Sequence, residues 1–436
     1  MVQRPILPHQ CGTVTVTTTN SIGALRQFSD LVVVGAGPAG CAAAIAAAKS
    51  GVAVTLLDKA GFPRAKVCGD ALTPRAVAAL ASLGVAVPAQ AHLVRGLMVY
   101  GLGADTSRFD WPATSGLPDV GYTCPRADLD AALLDAAIAA GADVHLGQAV
   151  TGLRLEGVRA GGVVTADGAE WRAPVVVDAS GASSRLGDAI GLRRVRSRPM
   201  GVAVRGYMRG AGDDQWLHSW LAIANTHGVS LPGYGWVFPM GGGLFNVGIG
   251  QLSTSPSFRT TNYRQLLLDW VAGLPAEWGL EWASASGGAA LPMGIDRAAL
   301  YRRGLLLAGD AAGLVNPFNG EGVGYALQSG LAAGRAAARA ARAGFNTEDA
   351  ETALQAYHHA IKGAFGHYFK AGNMFAELMG HEPVLAACLR YGLPHPTIMR
   401  PVNKLMANLL TLKGGPAEDR LLRTLLSLAT KLASPT

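Results

Sequence analysis

Near the N-terminal end of the chain, short runs of apolar residues alternate with glycines. A β-branched run, Val32 to Val34, ends at Gly35, and an alanine-rich stretch from about Pro38 to Ser50 ends at Gly51. A second apolar run, VAVTLLD, closes with Asp58. Short apolar runs predict buried strands, and the longer alanine-rich stretch predicts a helix. The pattern therefore predicts a strand, a tight turn, a helix and a second strand.

The glycines of this turn have the spacing GxGxxG at Gly35, Gly37 and Gly40. The first suits a tight turn, the second a close approach of the backbone to a pyrophosphate, and the third close packing of helix on strand. Asp58 is placed to accept hydrogen bonds from ribose hydroxyls. A chain with 57 glycines produces this spacing by chance. Its setting between two strands, with an acid after the second, indicates a dinucleotide site, and a glycine-rich packing turn is the alternative.

A second strand-and-turn pattern lies far downstream. The apolar run Leu305 to Leu307 leads into Gly309 and Asp310, and the segment Asn319 to Gly322 precedes a predicted helix. Backbone N–H groups at a helix start suit a developing negative charge, such as that of a reduced flavin. The alternative is an ordinary crossover connection.

Between Val195 and about Leu300 the pattern changes to short β-type runs separated by Gly and Pro, which predicts an antiparallel sheet. In PGYGWVFP, alternation puts Tyr234, Trp236 and Phe238 on one face of a strand. These aromatic residues form either a sheet core or the wall of an apolar pocket whose polar handles are a phenol and an indole N–H.

The segment after about Asn346 has helical periodicity. Its last part contains Arg and Lys together with apolar residues at helical spacing. These apolar residues are Leu421, Leu422, Leu425, Leu426, Ala429 and Leu432. Such a helix either docks on the protein's own surface or lies on a membrane. His358, His359 and His367 lack the spacing of a metal site and are interpreted as solvated or packed.

The composition excludes several classes of protein. Over 436 residues, 50% are hydrophobic and 15% are charged, as in a globular protein of two or three domains or one large discontinuous domain. Five scattered cysteines argue against a disulfide framework and a zinc site, so we expect a reducing, cytoplasmic compartment. We expect neither a secretory signal nor a transmembrane helix, since no long apolar run is present. The net charge of +7 suits binding of anionic lipids or anionic cofactors. The sequence contains no basic run with interleaved aromatic residues, so nucleic acid is not indicated as a partner.

Several motifs together resemble one enzyme family. They are VVVGAGPAGCAAA, FPRAKVCGDALTPRAV, PRADLDAAL, LPGYGWVFPMGGGLFNVGIG and LLLAGDAAGLVNPFNGEGVGYAL. From Asp30 to about Arg342 the chain resembles the geranylgeranyl reductase family of FAD-dependent oxidoreductases, which is related to the aromatic hydroxylases. Within the family it is most similar to bacterial reductases of the menaquinone polyprenyl chain.

The resemblance implies an α/β fold with a Rossmann-like FAD-binding domain of the aromatic-hydroxylase type. That domain is discontinuous and covers residues 30–95, 120–190 and 300–345. An antiparallel-sheet substrate domain covers 96–119 and 191–299, an N-terminal extension covers 1–29, and a C-terminal helical region covers 346–436.

The resemblance also implies FAD-contacting residues, which fall into four groups. The residues expected at the pyrophosphate are Gly35, Gly37, Ala39 and Gly40, and those expected at the ribose are Asp58 and Lys59. Arg126 and Asp310 are expected to contact the cofactor elsewhere. The residues expected on the flavin side are Lys66, Val67, Cys68, Gly69, Gly320, Gly322 and Val323.

One position departs from the family. Relatives usually carry an Asp-Gly pair after the strand that ends at Asp178, but Ser180 takes the place of that acid here, so the usual support of the pyrophosphate and NAD(P)H docking there are not carried over.

Cys68 is either a small packing residue or part of a reaction site. The nearby Arg64 and Lys66 would favour its thiolate if they also lie close in space. The resemblance places this loop over the isoalloxazine, so we expect Cys68, Tyr234 and Trp236 to be catalytic. Cys68→Ala is expected to retain FAD and to lose most turnover.

The expected function is reduction of isolated double bonds in a polyprenyl lipid, of the geranylgeranyl or menaquinone type, by flavin hydride transfer and protonation. Tyr234 or a bound water is the candidate proton source, and aromatic faces tolerate positive charge on carbon. The electron donor, whether NAD(P)H, ferredoxin or another, stays open, and the enzyme is expected to contact the membrane peripherally. One alternative is a flavin-dependent monooxygenase or halogenase, because the segment YGWVFP distantly resembles the tryptophan motif of flavin halogenases. The other alternative is a lipid-binding flavoprotein without catalysis.

Overall fold

The computed structural model describes residues 27–101, 106–113, 116–224, 228–410 and 415–432. Most of the predicted N-terminal extension, residues 1–26, lies outside the described residues. Within the described ranges the α-helices are α1 (Pro38–Ala48), α2 (Pro74–Leu83), α3 (Arg126–Ala139), α4 (Tyr263–Ala272), α5 (Val323–Ala343), α6 (Glu348–Met379), α7 (Glu382–Ala387), α8 (Pro396–Met406) and α9 (Ala417–Leu432). A π-helical turn, Cys388–Gly392, follows α7, and three short 3-10 helices cover Leu186–Ile190, Ala276–Trp278 and Gly309–Ala312.

The same ranges contain 23 strands, all of them before α5. They are β1 (Gln27–Phe28), β2 (Leu31–Val34), β3 (Val54–Asp58), β4 (Ala71–Leu72), β5 (His92–Val94), β6 (Gly96–Tyr100), β7 (Thr106–Asp110), β8 (Gly121–Thr123), β9 (Asp143–Leu146), β10 (Val150–Glu156), β11 (Arg159–Thr165), β12 (Glu170–Arg172), β13 (Val175–Asp178), β14 (Met200–Arg209), β15 (Trp216–Trp220), β16 (Ile223–Ala224), β17 (Ser230–Leu231), β18 (Gly233–Pro239), β19 (Leu244–Leu252), β20 (Glu281–Trp282), β21 (Gly287–Pro292), β22 (Tyr301–Arg302) and β23 (Leu305–Leu307).

A six-stranded, mostly parallel sheet has the order β22-β23-β13-β2-β3-β9. Every residue of β2, β3, β13 and β23 is buried, as expected for strands covered on both faces. The register pairs Val34 with Leu57 on one side and with Asp178 on the other. The carboxyl ends of these strands therefore meet at one edge, where α/β folds bind their ligands.

Small residues let α1 and α5 pack closely over this sheet. A Cβ added to Gly330 of α5 would overlap the carbonyl oxygen of Ala39, and one added to Gly334 would overlap that of Ala43. Larger side chains would separate the helices, so the alanine and glycine content of both segments is required by the packing distance.

A second, eight-stranded sheet is mostly antiparallel and has the path β20-β14-β19-β18-β15-β6-β7, with β21 paired to β14. Strand β18, which has the sequence GYGWVFP, lies between β15 and β19 in the interior of this sheet. A three-stranded sheet, β4-β8-β5, follows the Cys68 loop, and a four-stranded sheet has the order β1-β12-β11-β10. The predicted α/β class, with one parallel sheet, one antiparallel sheet and C-terminal helices, is confirmed.

The C-terminal helices cover one end of the antiparallel sheet. Val99 of β6 packs in one apolar cluster with Leu385, Leu389, Leu393 and Met399 of the segment from α7 to α8. Because these side chains approach the sheet from the C-terminal segment, that segment can form part of any cavity on this face.

Helix α9 docks on the protein. Its Asp419 is fully buried and forms an ion pair of 2.5 Å with Lys404 of α8, and Leu426 packs against the main core. Leu421 remains 60% exposed. His358 of α6 accepts a hydrogen bond of 3.1 Å from the backbone N–H of Leu300. Among the described residues, none of the helices has the length and apolar character needed to cross a bilayer.

Candidate active site

One cavity of about 1330 Å³ runs from the carboxyl edge of the parallel sheet across the antiparallel sheet to the C-terminal helices. Pockets for one drug-sized ligand have volumes of roughly 300–1,000 Å³. This cavity therefore has room for two occupants placed end to end.

The first glycine turn forms one end of the cavity. Gly35 has φ of +99°, and a Cβ there would lie 2.5 Å from the carbonyl oxygen of Ala179, so only glycine fits. Gly37 precedes α1, whose first turn has no side-chain cap, and its N–H groups are free to bind an anion. Gly37 and Ala39 line the cavity, whereas Gly40 packs under the turn, where a Cβ would overlap the carbonyl oxygen of Gly35.

Asp58 connects strand β3 to the glycine turn. Its Oδ2 accepts a hydrogen bond of 2.7 Å from the N–H of Ala36, and its Oδ1 accepts one of 2.8 Å from the N–H of Ala60. Asp58 and the following Lys59 line the cavity. The carboxylate thus holds the turn in place as well as facing the space where a ribose would lie.

Two arginines lie beside the start of α1. The guanidinium of Arg126 donates two hydrogen bonds of 2.8 Å to Asp130, and Arg64 Nη2 lies 3.2 Å from the same carboxylate. A Cβ on Gly37 would be 3.3 Å from Arg64 Nη2. Two cations share one buried carboxylate, so a positive charge remains next to the free N–H groups, as a pyrophosphate requires.

Ser180, at the departure from the family pattern, turns toward the preceding strand. Its hydroxyl donates a hydrogen bond of 2.6 Å to Oδ1 of the fully buried Asp178, and the hydroxyl of Ser184 donates to Oδ2. The loop between them lines the cavity. Hydroxyls therefore satisfy a buried carboxylate here without adding a second acid.

The second glycine turn closes the same end of the cavity. Asp310 follows β23, and Gly320 has φ of +77°. Gly322 precedes α5 without a side-chain cap, so the first N–H groups of α5 have no partner on their own helix. Asp310, Gly320, Gly322 and Val323 all line the cavity, and the chain reaches them from a point far from the first turn.

The Cys68 loop crosses the middle of the cavity. The carbonyl oxygen of Cys68 accepts hydrogen bonds of 2.9 Å from Arg205 and 2.8 Å from Asn246, which lie on strands β14 and β19. Lys66, Val67, Cys68 and Gly69 line the cavity. Two strands of the antiparallel sheet thus hold the loop over the parallel sheet.

The charge beside the Cys68 thiol comes from a residue that the sequence did not place there. The sequence indicated Arg64 and Lys66, but Arg126 and the backbone N–H of Asp70 interact with the sulfur in the structure. Burial raises the pKa of Cys68 above its usual value, and Arg126 opposes that increase only in part. The group is therefore a neutral thiol at neutral pH, able to give a proton.

The aromatic residues of β18 form the opposite wall. The Tyr234 hydroxyl donates a hydrogen bond of 2.7 Å to the carbonyl oxygen of Asn319, and the Trp236 indole N–H donates one of 2.9 Å to Asn246. Tyr234, Trp236 and Phe238 line the cavity and pack in one cluster. The same residues thus form both a sheet core and a pocket wall.

Beyond Tyr234 the cavity continues as an arm lined without charged side chains, which we call the apolar arm. Its walls come from β6, β15 and the segment between α6 and α8: Leu97, Val99, Leu217, Leu221, Met379, Leu385, Leu389, Leu393, Met399 and Val402. The sequence did not predict this arm, because its residues come from three segments that have no motif in common.

A dinucleotide end with two uncapped helix starts, joined to a reactive loop and an apolar arm, defines a flavoprotein with a site for a second, apolar ligand. Residues 29–361 match the family described as the FAD binding domain, and the chain belongs to this family. The predicted FAD cofactor and the class of FAD-dependent oxidoreductase are confirmed.

Relatives narrow the family further. The chain is 42% identical over 306 residues to the menaquinone reductase of Mycobacterium tuberculosis (strain ATCC 25618 / H37Rv), covering 69% of this chain and 74% of that protein. It is 31% identical over 363 residues to digeranylgeranylglycerophospholipid reductase 1 of Methanopyrus kandleri, covering 80% and 90%. The resemblance to the geranylgeranyl reductases is confirmed.

Solved structures share the fold. A geranylgeranyl bacteriochlorophyll reductase-like protein from Thermoplasma acidophilum superposes with a TM-score of 0.75 at 23% identity, covering 92% of this chain and 100% of that one. A flavin-dependent brominase superposes with a TM-score of 0.71 at 19% identity, covering 93% and 100%. At these identities the likeness concerns the fold alone.

Proposed function

We propose that this protein is an FAD-dependent reductase that saturates isolated double bonds of a polyprenyl lipid. The observation that carries the proposal is the continuous cavity, which joins the FAD end to an arm lined without charge. The menaquinone and digeranylgeranylglycerophospholipid reductases among the relatives support it.

We infer that the FAD end holds its cofactor through Gly35 and Gly37 of the first turn, through Asp58 and Arg126 beside that turn, and through the start of α5. Reduced FAD, when bound, supplies a hydride. The chain's own residues must then hold the lipid, exclude water and supply a proton. Burial in the apolar arm stabilises the bound lipid by about 0.8 kcal/mol for each CH₂ group removed from water.

An isolated double bond is not polarised, so hydride addition at one carbon requires a proton at the other. The Cys68 thiol is protonated at neutral pH because its burial raises its pKa. The faces of Tyr234 and Trp236 tolerate positive character on the second carbon. We therefore assign proton delivery to Cys68 and stabilisation of positive charge to the aromatic wall.

A polyprenyl lipid resides in a bilayer, so the enzyme must contact one. Three apolar side chains of the C-terminal helices are exposed beside the apolar arm: Leu378 at 51%, Tyr391 at 64% and Ile398 at 47%. Ile398 also lines the cavity. We propose that this face meets the cytoplasmic surface of the membrane and admits the lipid.

The test uses chemically reduced protein and a polyprenyl quinone, incubated without oxygen. Mass spectrometry of the lipid is expected to show a gain of about two mass units for each reduced bond, since a hydride and a proton are added. A gain of about sixteen after oxygen is admitted would instead support a monooxygenase. FAD that remains reduced with an unchanged lipid would indicate a binding protein without catalysis.

Tyr234→Phe tests the aromatic wall. Burial raises the pKa of Tyr234 to about 12, and its proton is engaged with the Asn319 carbonyl. Removing the hydroxyl is expected to lower the rate of flavin reoxidation by lipid about 10-fold, because the hydrogen bond between β18 and the second glycine turn is lost. The affinity for the lipid is expected to stay unchanged. Stopped-flow absorbance and a lipid-binding titration measure the two effects. An unaltered rate would exclude the phenol from the reaction.

A further inference from the structure

Asp70 lies behind the Cys68 loop as a buried acid with an uneven set of partners. It is 1% exposed, lines the cavity, and adopts the left-handed conformation with φ of 61°. Its Oδ2 accepts hydrogen bonds of 2.6 Å from the Tyr207 hydroxyl and 2.8 Å from the Asn246 amide, and Arg205 Nη2 lies 3.7 Å away.

The other oxygen of Asp70, Oδ1, is buried and has no hydrogen-bond partner in the described part of the chain. A buried, ionised oxygen without a partner is costly, and protonation removes the charge that makes it so. Burial raises the pKa of Asp70, although Arg205 and the hydrogen bonds from Tyr207 and Asn246 lower it. Because these donors all point to Oδ2, Oδ1 is the oxygen that can carry a proton.

Asp70 is linked directly to Cys68. Its backbone N–H interacts with the Cys68 sulfur, and its negative charge, when ionised, raises the pKa of that thiol. The same amide group of Asn246 bonds both Asp70 Oδ2 and the Cys68 carbonyl oxygen. Arg126, Arg205 and Tyr207 are the other groups that act on this pair. In addition to burial, the charges of the pair in turn raise the pKa of Tyr234, through Cys68, and of Cys124, through Asp70.

We propose that Asp70 is the proton store that restores the Cys68 thiol in each catalytic cycle, an inference that rests on the proposed reductase function. Bound FAD, when reduced, would supply the hydride for one carbon of the lipid double bond and would itself be oxidised. As the other carbon takes the thiol proton, the S–H bond of Cys68 breaks, two C–H bonds have formed and Cys68 is left as a thiolate. The proton on Asp70 Oδ1 then passes to the sulfur, and Asp70 becomes a carboxylate.

The surroundings of Asp70 suit this exchange. Tyr207, Asn246 and Arg205 provide two hydrogen bonds and a positive charge that stabilise the carboxylate after the proton leaves. Arg126 stabilises the thiolate in the same way before it is reprotonated. The carboxylate finally regains a proton from solvent once the product has left the cavity.

Asp70→Asn tests the proposal, because asparagine has the same shape and also tolerates the left-handed backbone conformation. The variant starts with a protonated thiol but cannot restore it. The first turnover of reduced enzyme is expected to fall by less than about 3-fold, whereas steady-state turnover is expected to fall about 100-fold, since acid–base groups contribute 10²–10⁴. Asp214→Asn, the same change at a residue outside the cavity, is the control and is expected to keep both rates.

Equal losses in the first and later turnovers, or a steady-state loss below about 3-fold, would overturn the proposal. Tyr207→Phe keeps the acid and removes one hydrogen bond, so it is expected to lose less steady-state turnover than Asp70→Asn.

A measurement without lipid separates this proposal from the proposed function. Removal of the Asp70 charge is expected to lower the midpoint of Cys68 alkylation against pH by about one unit, because a neighbouring negative charge opposes ionisation of the thiol. An unshifted midpoint in Asp70→Asn overturns the link between the two groups even if the wild type reduces lipid. If the flavin of the wild-type protein is never reoxidised by polyprenyl lipid, but the alkylation midpoint still differs between the wild type and Asp70→Asn, the proposed function is refuted. The link between Asp70 and Cys68 is then retained.

Discussion

Replacing Cys68 by alanine is expected to lower the rate of lipid reduction by about 10³-fold while FAD remains bound, because general acid catalysis contributes 10²–10⁴. Cys68 is part of the loop that crosses the cavity, and its carbonyl oxygen, which the substitution keeps, is held by Arg205 and Asn246. The change therefore removes the thiol and leaves the loop in position.

The measurement compares FAD content, from the visible absorbance of the purified protein, with flavin reoxidation by lipid in the absence of oxygen. Cys124→Ala is the matched control. Cys124 is fully buried outside the cavity, and its backbone N–H bonds the carbonyl oxygen of Asp70 at 2.9 Å. Wild-type rates in Cys68→Ala would remove the thiol from the mechanism, and loss of FAD would show that the loop had moved.

Replacing Gly40 by alanine is expected to weaken FAD binding by at least about 100-fold, since displaced phosphate-binding N–H groups lose charge-assisted hydrogen bonds worth about 1.5–3 kcal/mol each. A Cβ at this position would overlap the carbonyl oxygen of Gly35. Helix α1 must therefore move away from β2, and its free N–H groups move with it. Flavin content and a titration of apoprotein with FAD measure the effect.

Gly363→Ala is the control for this substitution. Gly363 lies in α6 with open space around the position of a Cβ. The exchange is expected to leave FAD affinity unchanged and to stabilise the helix by up to about 1 kcal/mol. If Gly40→Ala bound FAD as tightly as this control, the close packing of α1 on the turn would not be what positions the phosphate site.

The shared fold of reductases and brominases shows why the site decides the function. The fold is common to these structures, whereas the reaction depends on the side chains that line the cavity. In this chain Cys68, the buried Asp70 and the apolar arm line that cavity.

The sequence alone was sufficient to predict those parts of the protein whose structure depends on residues that are close together in the sequence. The β2–α1–β3 unit follows from apolar runs and from glycines at positions that demand a turn or a close approach. Alternation in β18 placed Tyr234, Trp236 and Phe238 on one face, because a strand has a fixed period of two. The family motifs predicted FAD, and the match to the FAD binding domain family confirmed it.

Only the tertiary structure decided which charges meet the thiol and how far the cavity extends. Arg205 and Asn246 reach Cys68 across 137 and 178 residues of chain, and periodicity carries no information about contacts at such distances. Arg64, four residues from Cys68 in sequence, pairs with Asp130. The apolar arm likewise forms where α7 and α8 fold back on β6 and β15. Local patterns determine which elements form, whereas the packing of those elements determines which side chains share a cavity.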